Sequence, residues 1–431
     1  MTGLPAMTEP PATTERPRLL LVAPPFSGHL NPLIALAHGL RDRGFDPRFA
    51  TGPAKVGLLT DLGFVADPVL AHDPQALERI ADTAGPVRSN PVRLARQLSA
   101  NLALLPTARA ELDALVVRDR PHLVLADFTA PVAGMVADTH GLPWLTVMPT
   151  PFALETRTGT PSYCGGWGPA QHAGHRVRDA AGRWATRTTK LALQKVLARQ
   201  FARLGTTVYR QDGSEAAYSP HGILGLGMSE LELPRDWPSQ FEMVGPVTAT
   251  AEPWPVAPVL PEGPLVLVTL GTHLHWAKRD LLDRVRRLAD AFGDHTFLVS
   301  LGDATGARPE PHHVEGNVVV HHHLPYDVVV PRCAAVVHHG GAGITYSAVR
   351  AGRPSLVCPH DYDQFDFAAR VVAAGAGESV RRLDSARAVA ALGRLLSCDT
   401  GRLDALAQAA ARYDAVGAVA AAVERHLTPA G

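Results

Sequence analysis

The strongest constraint on this chain is an alternation of short apolar runs with helical stretches, which occurs before residue 150 and again after residue 264. Runs that are apolar throughout are typical of strands buried on both faces of a parallel sheet. Strands that alternate with helices predict an α/β sheet covered by helices on both faces. The predicted strands are Arg18–Ala23, Phe45–Ala50, Leu123–Ala126 and Trp144–Met148 in the first part, and Leu265–Leu270, Thr296–Leu301, Val318–His322, Ala334–Val337 and Ser355–Cys358 in the second.

A proline-rich segment separates the two alternating parts. Gly245–Pro264 contains six prolines and few helix signals, which is the composition of a linker. We therefore expect two doubly wound, Rossmann-like domains, over residues 18–244 and 265–431, that face each other across a cleft. Leu403–His426 is predicted as one amphipathic helix that packs on either domain, including back on the first. Met1–Pro17 is predicted to be a disordered tail.

The overall composition excludes several classes of function. Lys+Arg and Asp+Glu both total 41, so the chain lacks the basic excess of a nucleic-acid-binding protein. No apolar run reaches the ~18 residues of a membrane span, and the amino-terminal segment lacks the apolar region of a secretory signal. The four cysteines show no CxxC spacing, so we expect neither a disulfide framework nor a zinc site. Free thiols suit a reducing cytoplasm.

The end of the first strand carries a candidate general base. Ligands of a doubly wound sheet bind beyond the carboxyl ends of its strands, and His29 lies there, in Gly28-His29-Leu-Asn31-Pro32. Imidazole titrates near neutrality and can accept a proton from a substrate. Asn31 and Pro32 are predicted as the N-cap and the first residue of the following helix. The alternative is that His29 caps this helix or binds a neighbouring carbonyl.

Asp127 follows the strand Leu123–Ala126 at the same predicted edge of the sheet. A carboxylate bound to imidazole Nδ1–H would fix the tautomer and stabilise the imidazolium. Spacing alone supports equally well a role for Asp127 as the cap of the helix after Pro131. Its pairing with His29 is therefore a hypothesis about proximity in the folded chain.

A strand of the second part runs into the glycine-rich turn His338-His339-Gly340-Gly341-Ala-Gly343, which is followed by a helix. Free backbone N–H groups and the positive end of a helix dipole bind anions. A P-loop is excluded because no Gly-Lys-Ser/Thr follows, and the first strand is not followed by the GxGxxG of a dinucleotide site. The alternative is a turn that merely permits tight packing.

Asp363 and Gln364 follow the strand Ser355–Cys358. A carboxylate beside an amide is suited to binding sugar hydroxyls, because the pair offers both acceptors and donors. The alternative is a capping turn for the helix predicted over Phe365–Ala374. The adjacent histidines His321–His323 are predicted along a strand, where side chains alternate between faces, so they make a poor metal site.

Together these motifs resemble the inverting glycosyltransferases of the GT-B fold, from the strand before Gly28 to the helix after Gln364. The resemblance implies that His29 deprotonates the acceptor, that Asp127 holds His29, and that the first domain binds the acceptor. It implies a nucleotide-sugar site in the second domain, with Thr272 and His339 on the diphosphate. The remaining implied donor contacts are His323 and Leu324 at the base, the amides of Gly340, Gly341 and Gly343, and Asp363 and Gln364 at the sugar.

Three positions depart from the family pattern. Ile344 stands where relatives often carry a phosphate-binding Thr or Ser, so that contact is either lost or shifted to Thr345. His323 replaces a base-stacking Trp and still offers an aromatic face. Ser347 stands where the plant enzymes have the acidic residue that binds the ribose of UDP. We therefore expect a thymidine-diphosphate (TDP) sugar as donor, and the Asp363-Gln-Phe-Asp366 run also looks like bacterial rhamnosyltransferases.

The resemblance implies transfer of a sugar, with inversion, to a hydroxyl or amine of a small natural-product acceptor. No cofactor is expected besides the nucleotide sugar, and no metal, because no Asp-x-Asp metal clamp is apparent at the diphosphate site. Residues 58–105 and 151–182 are expected to shape the acceptor pocket. The alternatives are a glycolipid-forming rhamnosyltransferase, a nucleotide-sugar epimerase, which would place more carboxylates around the sugar, and a non-catalytic activator of another enzyme.

Overall fold

The computed structural model describes residues 16–83, 85–87, 90–248, 258–272, 275–303 and 308–427. The predicted tail up to residue 15 and the centre of the predicted linker lie outside these ranges. Within them, no helix is long and apolar enough to cross a membrane. The strands are β1 Arg18–Val22, β2 Asp46–Thr51, β3 Val65–Pro68, β4 Leu123–Asp127, β5 Trp144–Met148, β6 Ile223–Gly225, β7 Phe241–Met243, β8 Leu265–Thr269, β9 Thr296–Ser300, β10 His313–Glu315, β11 Val318–His321, β12 Cys333–His338, β13 Ser355–Val357 and β14 Gly377–Ser379.

The helices divide between the two parts of the chain. They are α1 Ser27–Asp42, α2 Val56–Asp61, α3 Ala76–Ala81, α4 Pro91–Asp119, α5 Pro131–Thr139, α6 Ala173–Val196, α7 Ala198–Leu204, α8 His275–Lys278, α9 Leu281–Ala289, α10 Tyr326–Val329, α11 Ala342–Arg350, α12 Gln364–Ala373, α13 Ala386–Leu396, α14 Gly401–Ala411 and α15 Ala415–Leu427.

The strands form two separate sheets. The first has the order β3-β2-β1-β4-β5-β6-β7 and is parallel throughout. The second has the order β10-β11-β9-β8-β12-β13-β14 and is parallel except for β10 at its edge. Central strands such as β4 and β8 are buried along their whole length, which explains why the first four residues of each are apolar. We call the two sheets with their covering helices the first lobe and the second lobe. The expected pair of Rossmann-like domains is confirmed.

Each sheet has a point at which the strand order reverses. In the first sheet it lies between β1 and β4, where Val22 pairs with Ala126. In the second it lies between β8 and β12, where Thr269 pairs with His338. The segments that follow the two neighbouring strands run to opposite faces of the sheet. A crevice therefore opens between them at the carboxyl ends of the two strands. The candidate residues after β1, β4, β8 and β12 are therefore gathered at two crevices.

The lobes share a hydrophobic core. Phe152 and Met228 of the first lobe are buried in one cluster with Tyr346 and Phe367 of the second. The rings of Phe152 and Phe367 meet edge to face with their centroids 4.8 Å apart. Helix α15 returns to the first lobe, where it packs on α1 and where Val419 joins the core of the first sheet. The lobes are thus held together by packing as well as by the chain between them.

Two helix predictions are wrong in their bounds. The first helix begins at Ser27 and not after Asn31, because the carbonyl of Phe26 already accepts the N–H groups of His29 and Leu30. Pro32 lies inside this helix, where it removes one backbone hydrogen bond. His29 consequently lies in the first turn of α1.

The predicted single helix Leu403–His426 is also wrong, because α14 ends at Ala411 and α15 begins at Ala415. The break is stabilised by Asp414, whose carboxylate accepts the N–H of Gly417 at 2.8 Å. Of the three adjacent histidines placed on one strand, His321 alone lies in β11.

Candidate active site

A cleft of about 780 Å³ lies between the lobes and is lined by residues of both. Its first-lobe wall is largely apolar and is built from the segment before α3, from α3 itself and from α4. The apolar residues of this wall include Val69, Leu70, Leu77, Ile80, Leu98, Leu102, Leu105 and Leu112. The expectation that residues 58–105 shape a pocket agrees with this placement. From residues 151–182, Tyr163 reaches the cleft.

His29 and Asp127 meet at the crevice of the first sheet. The Nδ1 atom of His29 lies 3.1 Å from both carboxylate oxygens of Asp127. The carboxylate is fully buried, whereas the imidazole is 25% exposed and lines the cleft. Because a carboxylate accepts, Nδ1 carries the hydrogen and Nε2 is left to accept a proton. The ring of Phe128 stacks on the imidazole at 5.5 Å.

The surroundings of His29 favour the protonated form of its imidazole. Burial by itself would lower the pKa of His29, but the charge of Asp127, its hydrogen bond and the charge of Asp363 together raise that pKa above its usual value. The Asp127 carboxylate is itself held by Thr129, whose N–H and hydroxyl both donate to Oδ1 at 2.9 and 2.5 Å. Helix α5 takes no side-chain cap, so the alternative role of Asp127 as a helix cap is not realised.

The glycine-rich turn joins β12 to α11 at the crevice of the second sheet. The N–H of Gly340 donates to Nδ1 of His338 at 3.1 Å, and Gly340 adopts a φ of +94°, which a residue with a side chain rarely adopts. The first turn of α11 receives no side-chain cap, and Gly341, Ala342 and Gly343 line the cleft. The amino end of α11 therefore presents backbone N–H groups to the cleft, the arrangement that binds phosphate oxygens.

His339 lines the cleft beside this turn, packed between two glycines. A Cβ on Gly341 would lie 2.5 Å from its Nε2, and a Cβ on Gly271 would lie 2.8 Å from its Cε1. Burial is the main cause that lowers the pKa of His339 to about 3, with smaller contributions from the neighbouring His338 and His360. The imidazole is therefore neutral at pH 7 in the absence of an anion.

Asp363 and Gln364 line the cleft at the amino end of α12. Asp363 occupies the N-cap position without a side-chain capping bond, and its Oδ2 accepts the hydroxyl hydrogen of Thr150 at 3.0 Å. Burial raises the pKa of Asp363, whereas the Thr150 hydrogen bond and the charge of His29 act in the opposite direction. Oε1 of Gln364 accepts the N–H groups of His360 and Asp361, so the amide NH₂ can donate to a ligand.

Most of the predicted site residues share this one cleft. Asp127, Gly340 and Thr345 do not line it. Asp127 is buried behind His29, the N–H of Gly340 is used by His338, and the hydroxyl of Thr345 is buried. A phosphate contact from Thr345 is therefore not supported by its position. The predicted residues that line the cleft are His29, Thr272, His323, Leu324, His339, Gly341, Gly343, Asp363 and Gln364, together with the departures Ile344 and Ser347.

Sequence reasoning missed the residues that hold the reactive groups. Thr129 lies two residues after Asp127, and this Asp-x-Thr spacing is a local turn signal that the sequence does offer. Thr150 and Gly271 act on residues more than 60 positions away, so no local pattern reveals them. In the described part of the chain, no group of three or more His, Cys, Asp or Glu side chains could hold a metal ion.

The chain is similar in sequence to known enzymes of natural-product biosynthesis. Residues 286–415 match the family model described as "Erythromycin biosynthesis protein CIII-like, C-terminal domain". The chain is 28% identical over 378 residues to 4'-demethylrebeccamycin synthase of Lentzea aerocolonigenes, covering 85% of this chain and 88% of that protein. It is also 28% identical over 379 residues to L-demethylnoviosyl transferase of Streptomyces niveus, with coverages of 84% and 85%.

The fold matches that of the Streptomyces sp. SF2575 glycosyltransferase SsfS6 in complex with thymidine diphosphate. The TM-score is 0.68 at 20% identity, over 95% of this chain and 100% of the other. The two lobes and the cleft between them thus define a GT-B glycosyltransferase. Residues 286–415 resemble the EryCIII-like carboxy-terminal domain, and the chain is an inverting, metal-independent glycosyltransferase. The epimerase and the non-catalytic activator are thereby set aside.

Proposed function

We propose that this enzyme transfers a deoxysugar from a TDP-sugar to a hydroxyl or amine of an apolar natural-product acceptor. The observation that carries the proposal is that His29, held by the buried Asp127, and the amino end of α11 line one cleft from opposite lobes. One wall supplies a base and the other supplies an anion site. A base facing an anchored leaving group is what a direct displacement at a sugar carbon requires.

The reaction is a single in-line displacement. Nε2 of His29 accepts the acceptor's proton while the acceptor's oxygen or nitrogen attacks the anomeric carbon. The bond from that carbon to the diphosphate oxygen breaks, and the diphosphate leaves with the electron pair on the opposite face. Asp127 stabilises the imidazolium that forms, and it does so through the Nδ1–H that it already binds.

The leaving diphosphate is stabilised by the second lobe. The N–H groups at the amino end of α11 and the helix dipole are fixed before the reaction, so they stabilise developing charge without reorganisation. His339 contributes as a neutral hydrogen-bond donor. The negative charge of the bound diphosphate raises the pKa of its imidazole. Thr272 lines the same wall after β8 and contributes a phosphate contact.

Two features support the choice of substrates. Ser347 lines the cleft and stands at the position where the plant enzymes that this chain resembles carry a ribose-binding carboxylate, so a donor without a ribose 2′-hydroxyl is favoured. The relative SsfS6 was crystallised with thymidine diphosphate. The apolar wall of α3 and α4 suits an acceptor with a hydrophobic body. The four cysteines, all among the described residues, are unpaired, which fits the cytoplasm as the place of the reaction.

Binding and turnover test the proposal together. Isothermal titration with TDP and UDP should give tighter binding of TDP. Incubation with TDP-glucose or TDP-L-rhamnose and a panel of hydroxylated aromatic, macrocyclic and lipid acceptors should then give products heavier by one sugar in mass spectrometry. Preference for UDP would contradict the assigned donor. Transfer to lipid acceptors alone would favour the glycolipid-forming alternative.

A further inference from the structure

Four segments of the first lobe hydrogen-bond to one short stretch of the second lobe, residues 361–366, which we call the sugar turn. Each bond comes from a different part of the first lobe, so the turn is held against that lobe along its whole length. The four bonds are Val87 N–H to Asp361 Oδ2, Gln97 Nε2–H to Tyr362 Oη at 3.0 Å, Thr150 Oγ1–H to Asp363 Oδ2 at 3.0 Å, and Tyr163 N–H to Asp366 Oδ2 at 2.8 Å.

The sugar turn is under conformational constraint. Tyr362 at its centre has a φ of +51°, in the left-handed region that residues with side chains rarely adopt. The hydrogen bond from Gln97 to the Tyr362 hydroxyl fixes this residue from the first lobe. A turn that needs such support adopts a different set of conformations when the support is removed.

The bond from Thr150 differs from the other three because it reaches the carboxylate proposed to bind the donor sugar. Thr150 lies two residues after β5, is 4% exposed, and makes no capping bond to the turn that follows it. Its hydroxyl is therefore committed to Asp363. The charge of Asp363 also acts on His29, so this carboxylate has a competing attraction toward the base.

We propose that Thr150 is a positioning residue, which holds the Asp363 carboxylate toward the donor sugar and away from His29. The inference rests on the proposed function, since it takes Asp363 as the group that binds the sugar. A carboxylate oxygen accepts more than one hydrogen bond, so Asp363 can accept from Thr150 and from a sugar hydroxyl together. The acceptor-binding lobe thereby contributes to recognition of the donor.

Thr150→Val removes the hydroxyl and keeps the shape of the side chain. The variant should lose affinity for TDP-glucose by roughly ten- to a hundredfold, the usual effect of losing one hydrogen bond to a charged group. Affinity for TDP should stay unchanged, because the diphosphate binds at α11. Without the donated hydrogen bond the pKa of Asp363 rises further, so the loss of TDP-glucose binding on acidification should begin at a higher pH than in the wild type.

Isothermal titration of both ligands between pH 5 and 8 makes the test. Thr150→Ser should restore the affinity for TDP-glucose, since it restores the hydroxyl. Thr60→Val, which removes only a bond to the carbonyl of Val56 within an exposed helix, is the matched control and should bind both ligands as the wild type does. Equal losses for TDP and TDP-glucose, or wild-type affinity for both in Thr150→Val, would overturn the inference. Failure of the wild type to bind TDP would instead overturn the proposed function.

Discussion

The imidazole of His29 is held by both oxygens of the Asp127 carboxylate at 3.1 Å, although 97 residues separate the two in the chain. His29 follows strand β1 and Asp127 is the last residue of strand β4, and these two strands are neighbours at the point where the strand order reverses. The topology of the sheet therefore creates the pair. Its chemistry follows from burial, because the carboxylate is fully buried and the imidazole is partly open to the cleft.

His29→Ala should reduce kcat by about 10²- to 10⁴-fold, since general-base catalysis contributes a factor of this size. Affinity for TDP should be unchanged, because the diphosphate contacts come from the second lobe. Steady-state kinetics with a TDP-sugar measures kcat, and isothermal titration with TDP measures the affinity. Wild-type turnover in this variant would remove His29 from the mechanism.

Asp127→Asn should move the acid limb of the pH profile of kcat/KM to lower pH. The base must be neutral to accept a proton, so activity rises as the pH rises through the pKa of His29. Asp127 raises that pKa in the wild type, and its removal lowers it. The plateau should also fall, because the imidazolium is no longer stabilised. A profile that keeps its wild-type position would show that Asp127 does not act on His29.

Gly341→Ala should weaken the binding of TDP. The new methyl group would lie 2.5 Å from Nε2 of His339, so the ring must move out of its place beside the amino end of α11. Gly293→Ala is the matched control in the same lobe, since a Cβ there meets no atom within 4 Å. Titration of TDP into both variants checks the result. Equal affinities would place the diphosphate away from His339.

Treatment with EDTA should leave the transfer rate unchanged. The diphosphate charge is assigned to backbone N–H groups, the dipole of α11 and His339, and the described residues offer no cluster of three metal-binding side chains. Initial rates before and after chelation, and after addition of Mg²⁺, provide the measurement. An absolute requirement for Mg²⁺ would contradict this account.

Arg370→Ala should lower the stability of the whole enzyme by about 3–5 kcal/mol, the usual effect of leaving one partner of a buried ion pair alone. Nε of Arg370 lies 2.9 Å from Oε2 of Glu232 in the first lobe, and both side chains are almost fully buried. The Cζ atom of the Arg370 guanidinium lies 3.8 Å from the ring centroid of Phe152.

Arg394→Ala is the control for this substitution, because its pair with Glu378 is largely exposed. The control should change the stability by no more than about 1 kcal/mol. Denaturant unfolding of both variants tests the comparison. Equal effects would mean that the Arg370 pair does not join the lobes energetically.

The sequence predicts where the candidate catalytic residues lie along the chain, because they come at the ends of apolar strands or after them. A strand such as β4 is buried on both faces, so its apolar run is unbroken, and the polar Asp127 marks the place where the run ends. The turn after β12 can also be recognised from the sequence, because Gly340 adopts a positive φ, a conformation that favours glycine. The sequence predicts the start of α1 too late in the chain, because Asn31-Pro32 is only a local N-cap signal. In the structure the carbonyl of Phe26 accepts the N–H groups of His29 and Leu30, so the helix begins at Ser27.

Local patterns in the chain predict the central strands of both sheets, the candidate site residues at the strand ends, and the resemblance to glycosyltransferases, because strand burial and turn geometry constrain residue type locally. Which of these groups meet depends on the folded structure. The pairing of His29 with Asp127, the fit of His339 between Gly271 and Gly341, and the bond from Thr150 to Asp363 each join distant segments. The physical reason is that strand order and lobe packing set such distances, and neither leaves a local pattern in the chain.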